Sequence, residues 1–110
     1  CGSFLPYMLQ RFTGVSGILA NMGMMETVDA YEEFSHLYFD IAGDPEPVGL
    51  NMLRMVADGS HIVFGSDYPH SPAPVILKKK KHFDENSEYD SVREKIYYTN
   101  AKELLERNRK

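Results

Sequence analysis

The run Ile62-Val63-Phe64-Gly65-Ser66-Asp67-Tyr68-Pro69-His70 constrains this chain more than any other stretch. A short apolar segment with two β-branched residues suits a strand covered on both faces, as in a parallel sheet. Gly65 permits close backbone approach and Pro69 stops the strand from continuing. The segment therefore delivers one carboxylate, Asp67, to the rim of a packed α/β layer, where ligands bind in such folds. A carboxylate held there requires compensation by a metal, a base or a hydrogen-bond network.

Upstream, Leu37, Phe39 and Ile41 alternate with Tyr38 and Asp40, which predicts a strand over 36–42, ended by Gly43, Asp44, Pro45 and Pro47. Val48, Leu50, Met52, Leu53, Met55 and Val56 recur at helical spacing before Asp58 and Gly59, which predicts a helix between that strand and a second one over 61–66. Strand, crossover helix and strand make a parallel βαβ unit, with Asp40 and Asp67 expected at the same sheet edge. A helix through Val28, Tyr31, Phe34 and Leu37 is expected before it. An earlier one opens at Pro6 and runs to Phe12, and 15–25, rich in glycine and methionine, is expected to be irregular. After Pro69, a helix over 75–83 carries Lys78, Lys79, Lys80 and Lys81. Ser87 or Asp90 is expected to cap a helix through Val92, Ile96 and Tyr97, and Asn100 a final one over 101–107.

With 110 residues the chain has the length of one domain, taken here as 1–110, and its 43% apolar and 25% charged content is that of a globular protein. Sixteen acids against twelve bases leave a net charge of −4 and no broad cationic face, so no nucleic-acid partner is expected. The lysine run has two readings, a phosphate or nucleic-acid patch and a solvated face whose stems cover the core; composition favours the second. No stretch approaches membrane-spanning length, and no charged-then-apolar leader is visible. One cysteine, Cys1, forms no internal disulfide, which fits a reducing, cytoplasmic compartment.

The Phe-Gly-Ser-Asp-Tyr-Pro-His element at 64–70, followed by Asn100-Ala101 and Leu104-Leu105, resembles the C-terminal part of the amidohydrolase-related metal-dependent hydrolases, the family of the aminocarboxymuconate-semialdehyde decarboxylase-like enzymes. Tyr38-Phe39-Asp40-Ile41-Ala42 is similar to that family's seventh barrel strand, and Gly2-Ser3-Phe4-Leu5-Pro6 to the loop and helix start after its sixth. Cys1 and Ser3 depart from the usual composition of that loop. The resemblance implies a (β/α)₈ barrel whose strand-eight aspartate ligates a divalent metal, usually zinc; Asp67 is the matching residue, as catalytic group and metal ligand. His70 and Asp40 are the substrate-binding candidates, and a small carboxylate, amide or ester is the implied substrate.

The family's other ligands, a His-x-His pair on strand one and a histidine on strand five, have no counterpart in this sequence, and its catalytic histidine after strand six would precede Cys1; zinc is therefore expected in the intact enzyme and to be absent or weakly bound in this chain alone. A complete barrel of this type needs on the order of 250 residues. The expected fold is therefore α/β, the last two to three βα units of a TIM barrel, whose open strand edges favour a homo-oligomer. A different reading is a catalytically silent α/β module that packs with itself or with a missing partner. Plain structural roles compete for each residue: Asp67 as a turn cap, His70 as a loop histidine, Asp40 as the cap of the turn at Gly43. His36 and His61 are expected to be structural, and His82 to face solvent.

Overall fold

The computed structural model describes residue 2, residues 4–43 and residues 46–108. The expectations placed on Cys1, Ser3, Asp44 and Pro45 lie outside these residues. Strands β1 (Phe39–Asp40) and β2 (Ile62–Val63) pair in parallel, Phe39 opposite Ile62 and Asp40 opposite Val63. Both are shorter than the expected 36–42 and 61–66. Their ladder is closed by Phe39 N–H donating to the His61 carbonyl at 2.9 Å and Ile41 N–H to that of Val63 at 3.1 Å. Helix α3 (Val48–Val56) makes the crossover, as its periodicity predicts. Leu50 and Leu53, on one helical face, and Ala57 just past the helix end are buried in one core with Phe39, Ile41, Ile62, Phe83, Tyr89 and Ile96.

Helix α1 spans Leu5–Asn21, well past the expected end near Phe12. Gly14 and Gly17 each weaken a helix by about 1 kcal/mol relative to alanine, which the surrounding Leu, Met, Gln, Arg, Ile and Ala residues offset. The break comes at Gly23 instead, in the left-handed region at φ +70°. Its N–H donates to the Ala20 carbonyl and that of Met24 to Leu19, the paired bonds of a Schellman ending. Helix α2 (Ala30–Ser35) is shorter than predicted, leaving Val28 and Leu37 outside it and exposed. Asp29 sets its start by accepting hydrogen bonds from the Tyr31 and Glu32 amides at 3.0 and 3.2 Å.

Helix α4 (Ala73–Glu85) contains the predicted 75–83 segment and buries Phe83. The cap that follows is Asn86 rather than Ser87 or Asp90, accepting from the Glu88 amide at the head of the 3-10 turn Ser87–Tyr89. From there α5 (Asp90–Glu94), a π turn (Lys95–Thr99) and α6 (Asn100–Arg107) run on without a break. Asn100 is thus no cap. Its side chain is buried, and its amide nitrogen donates to the carbonyls of Gly59 and Ile62. In the π turn, Asn100 N–H reaches back to the Lys95 carbonyl, one residue beyond the α-helical partner. The carbonyl of Ile96 accepts instead from Phe64 N–H at 2.8 Å. The expectation of an open edge is therefore corrected for β2 at Ile62 and Phe64, because the C-terminal helix satisfies it. No helix of the described residues is long and apolar enough to cross a membrane.

Candidate functional site

Both strands point their C-terminal ends toward the same side, so the parallel register brings the loops after β1 and β2 together. Gly65 is where they touch. A Cβ placed on it would lie 2.9 Å from Asp40 Cβ and 3.1 Å from Asp40 Cγ, so the close approach that Gly65 permits is that of the Asp40 side chain. Asp40 is exposed and turns one oxygen back on its own strand end, where Oδ1 accepts from the Ala42 amide at 2.8 Å. This is turn-capping geometry, so the structural role of Asp40 is present whatever else it contacts.

Asp67 follows two residues after Gly65 and is exposed. It is the non-glycine described residue with positive φ, at +61°, a region unfavourable for L-residues but accessible to aspartate. Ser71 holds the turn from both ends. Its N–H donates to the Asp67 carbonyl at 2.8 Å and its Oγ to Asp67 Oδ2 at 2.8 Å. Tyr68 N–H donates to Ser66 Oγ at 3.3 Å. His70 is exposed and forms no hydrogen bond or ion pair within the described residues.

The other histidines lie elsewhere. His61, at the opposite end of β2, packs its ring 4.5 Å from that of Tyr38 and lies 2.9 Å from Ser60 Oγ and 3.5 Å from Asp58. The Ser60 hydroxyl and amide, and then His61, hold the Asp58 carboxyl below the usual range. His36 pairs with Glu32 on the exposed surface of the α2 end, and His82 is exposed on α4.

Beside the rim a crevice of about 30 Å³ lies between the loops and α4, lined by Ile41, Gly65, Ser66, Ser71, Lys79 and Tyr97 among others. That volume admits a water molecule and falls far short of the roughly 300 Å³ of a small-ligand pocket. Its outer wall carries a polar network that the sequence reading missed. Lys80 Nζ donates to Asp84 Oδ2 at 2.6 Å, the Tyr97 hydroxyl donates to Asp84 Oδ1 at 2.7 Å, and the Lys80 ammonium stands 4.9 Å from the Tyr97 ring centroid. Lys80, and then Tyr97, hold the Asp84 carboxyl below its ordinary value; burial, and then Asp84, push the Tyr97 phenol up. The spacing of Lys80 and Asp84, one helical turn apart, was the available signal. Lys79 reaches back to the Gly43 carbonyl at 2.7 Å, so the lysine run serves in part to tie α4 to the end of β1.

Asp67 suits the role of one hard oxygen ligand, an exposed carboxylate with one oxygen tied to a hydroxyl. Among the described residues no group of three or more His, Cys, Asp or Glu side chains is disposed to hold a metal. Any complete ligand set therefore draws on donors outside them.

The profile of the amidohydrolase family matches residues 7–107. Among curated proteins the chain is 32% identical, over 77 residues, to a 6-methylsalicylic acid decarboxylase of Penicillium expansum, covering 70% of this chain and 24% of that protein. It is 30% identical, over 113 residues, to a 6-methylsalicylic acid decarboxylase of Aspergillus aculeatus, covering 96% of this chain and 34% of that one. The chain thus spans a quarter to a third of the length of these relatives. A crystal structure described as an amidohydrolase II matches with a TM-score of 0.82 and 28% identity over 94% of this chain and 32% of that chain. The α/β architecture is accordingly that of a stretch of an amidohydrolase TIM barrel.

Proposed function

Because this chain belongs to the amidohydrolase family, we propose that it supplies the strand-seven and strand-eight portion of a metal-dependent hydrolase or non-oxidative decarboxylase, with Asp67 as the strand-eight ligand and catalytic carboxylate. The observation that carries this reading is the placement of Asp67: a left-handed residue just past a buried parallel strand, its carboxylate steered by Ser71 at the shared mouth of both strands. A divalent metal, zinc in this reading, supplies Lewis acidity toward a substrate oxygen when bound. The residues of this chain do the remaining work. Asp67 contributes one anionic donor, and the exposed His70 and Asp40, on the loops after the two strands, are the substrate contacts of this proposal.

The curated relatives are both decarboxylases of an aromatic carboxylic acid, which favours a small aromatic carboxylate as substrate and loss of carbon dioxide over hydrolysis. In that reaction the bond between ring and carboxyl carbon breaks and the ring carbon takes a proton. The crevice beside the rim is too small for such a substrate, and in this reading the rest of the barrel supplies the remaining pocket walls. A cytoplasmic, homo-oligomeric protein is part of the same proposal.

The test exchanges this chain for the matching third of the Aspergillus aculeatus relative. The hybrid is expected to retain metal by elemental analysis and to release carbon dioxide from 6-methylsalicylic acid, and Asp67→Asn to lose both. Metal content unchanged by Asp67→Asn would remove Asp67 from the ligand set. A hybrid that folds but holds neither metal nor activity would favour the silent module.

A further inference from the structure

We infer that Ser71 is a positioning residue for Asp67, fixing which carboxylate oxygen faces the rim; the inference rests on the reading of Asp67 given above. Two separate bonds join the pair. The backbone bond, Ser71 N–H to the Asp67 carbonyl, closes the turn and is available to any residue but proline. The hydroxyl bond, Ser71 Oγ to Asp67 Oδ2, leaves the turn's path to the backbone and acts on the carboxylate alone. Oδ1 accepts no hydrogen bond from the described residues, so it is the oxygen left available to a ligand.

An exposed aspartate side chain samples three staggered χ1 wells when nothing selects among them. Here the left-handed backbone of Asp67 sets the direction of its Cβ, and the hydroxyl selects the well. Ser71 ends the same loop, immediately before Pro72, the N-cap of the thirteen-residue α4, whose Phe83 is buried in the core. The hydroxyl thus sits at the helix-proximal end of the loop, and its bond ties the carboxylate four residues earlier toward the start of α4. Groups that orient a metal-binding side chain from behind typically change metal affinity by about 10–100-fold when removed.

The test begins with the chain itself. Three-bond couplings between Asp67 Hα and Hβ are expected to report one χ1 rotamer in the wild type and an average over several in Ser71→Ala. Ser71→Thr, which keeps the hydroxyl, is expected to restore the single rotamer. An amide spectrum unchanged outside 66–72 shows that the variants remain folded. Wild-type couplings in a folded Ser71→Ala chain would overturn the inference, as would averaged couplings in Ser71→Thr.

In the hybrid with the Aspergillus aculeatus relative, Ser71→Ala is expected to weaken metal retention on dialysis at least about tenfold, and Ser71→Thr to retain it. Equal retention in all three would show that the hydroxyl has no bearing on the site. Metal kept by Asp67→Asn overturns the ligand reading instead, while the couplings still judge Ser71, so the two failures are read from different signals.

Discussion

Replacing Gly65 by alanine tests the contact that brings the two rim loops together. Carbon atoms pack best at about 3.5–4.0 Å, and the new Cβ would stand 2.9 Å from Asp40 Cβ and 3.1 Å from Cγ. The nearest atom is the first carbon of a side chain on β1, not a flexible tip, so relief requires the strand ends to separate. Overpacking of this kind costs about 1–3 kcal/mol. Against it stands about 0.4–1 kcal/mol gained by restricting the unfolded chain, since Gly65 is not among the glycines with positive φ and tolerates a side chain conformationally. At the middle of these ranges the net expectation is a destabilisation of about 1.3 kcal/mol. Urea unfolding followed by circular dichroism, with m-values compared, measures it. In a double-mutant cycle Asp40→Gly should recover most of that loss, whereas Asp40→Ala should recover little because its Cβ remains. A neutral or stabilising Gly65→Ala, or equal rescue by the two Asp40 variants, would refute the reasoning.

Asn100→Ala leaves the Gly59 and Ile62 carbonyls without their amide donor, and a loss of about 1–3 kcal/mol is expected in the same unfolding assay. Asn100→Asp should be worse at neutral pH, since it sets an acceptor against two acceptors; equal losses would contradict the assignment. Because burial and Asp84 raise the phenol of Tyr97, the folded protein binds more protons than the unfolded one above about pH 10, and stability should fall as pH rises through that region. Tyr97→Phe should flatten this alkaline limb, in part only, because burial also raises Tyr89. Tyr7, Ile18 and Met22 expose apolar surface along α1, and light scattering at micromolar concentration is expected to give a mass above that of the monomer; a monomer mass would set the homo-oligomer aside.

The parallel pair, its crossover helix and the position of Asp67 were legible because each depends on local pattern: an apolar run, a helical period, a glycine and a proline at fixed offsets. The length of α1 was not, since Gly14 and Gly17 carry the same local signal as a loop and only the neighbouring helix formers outvote them. Asn100 has the composition of a cap, and its burial against a strand 38 residues earlier has no local signature. The same holds for the Tyr97–Asp84 bond and for the Asp40–Gly65 contact, both made by residues distant in sequence. At the site, the carboxylate could be foreseen from its strand, but the left-handed backbone and the hydroxyl behind it could not.

The bond from Phe64 N–H to the Ile96 carbonyl gives the π turn a consequence for motion. Two residues separate Phe64 from Asp67, and Asn100 grips the same strand one turn of helix further on. The final helices and the end of β2, from which the carboxylate loop departs, therefore share hydrogen bonds and are expected to open together. Native-state hydrogen exchange is expected to give the amides of Phe64 and Asn100 the same opening free energy. Fraying of the tail is therefore expected to loosen the end of β2 through these bonds, without any side chain of the rim being touched.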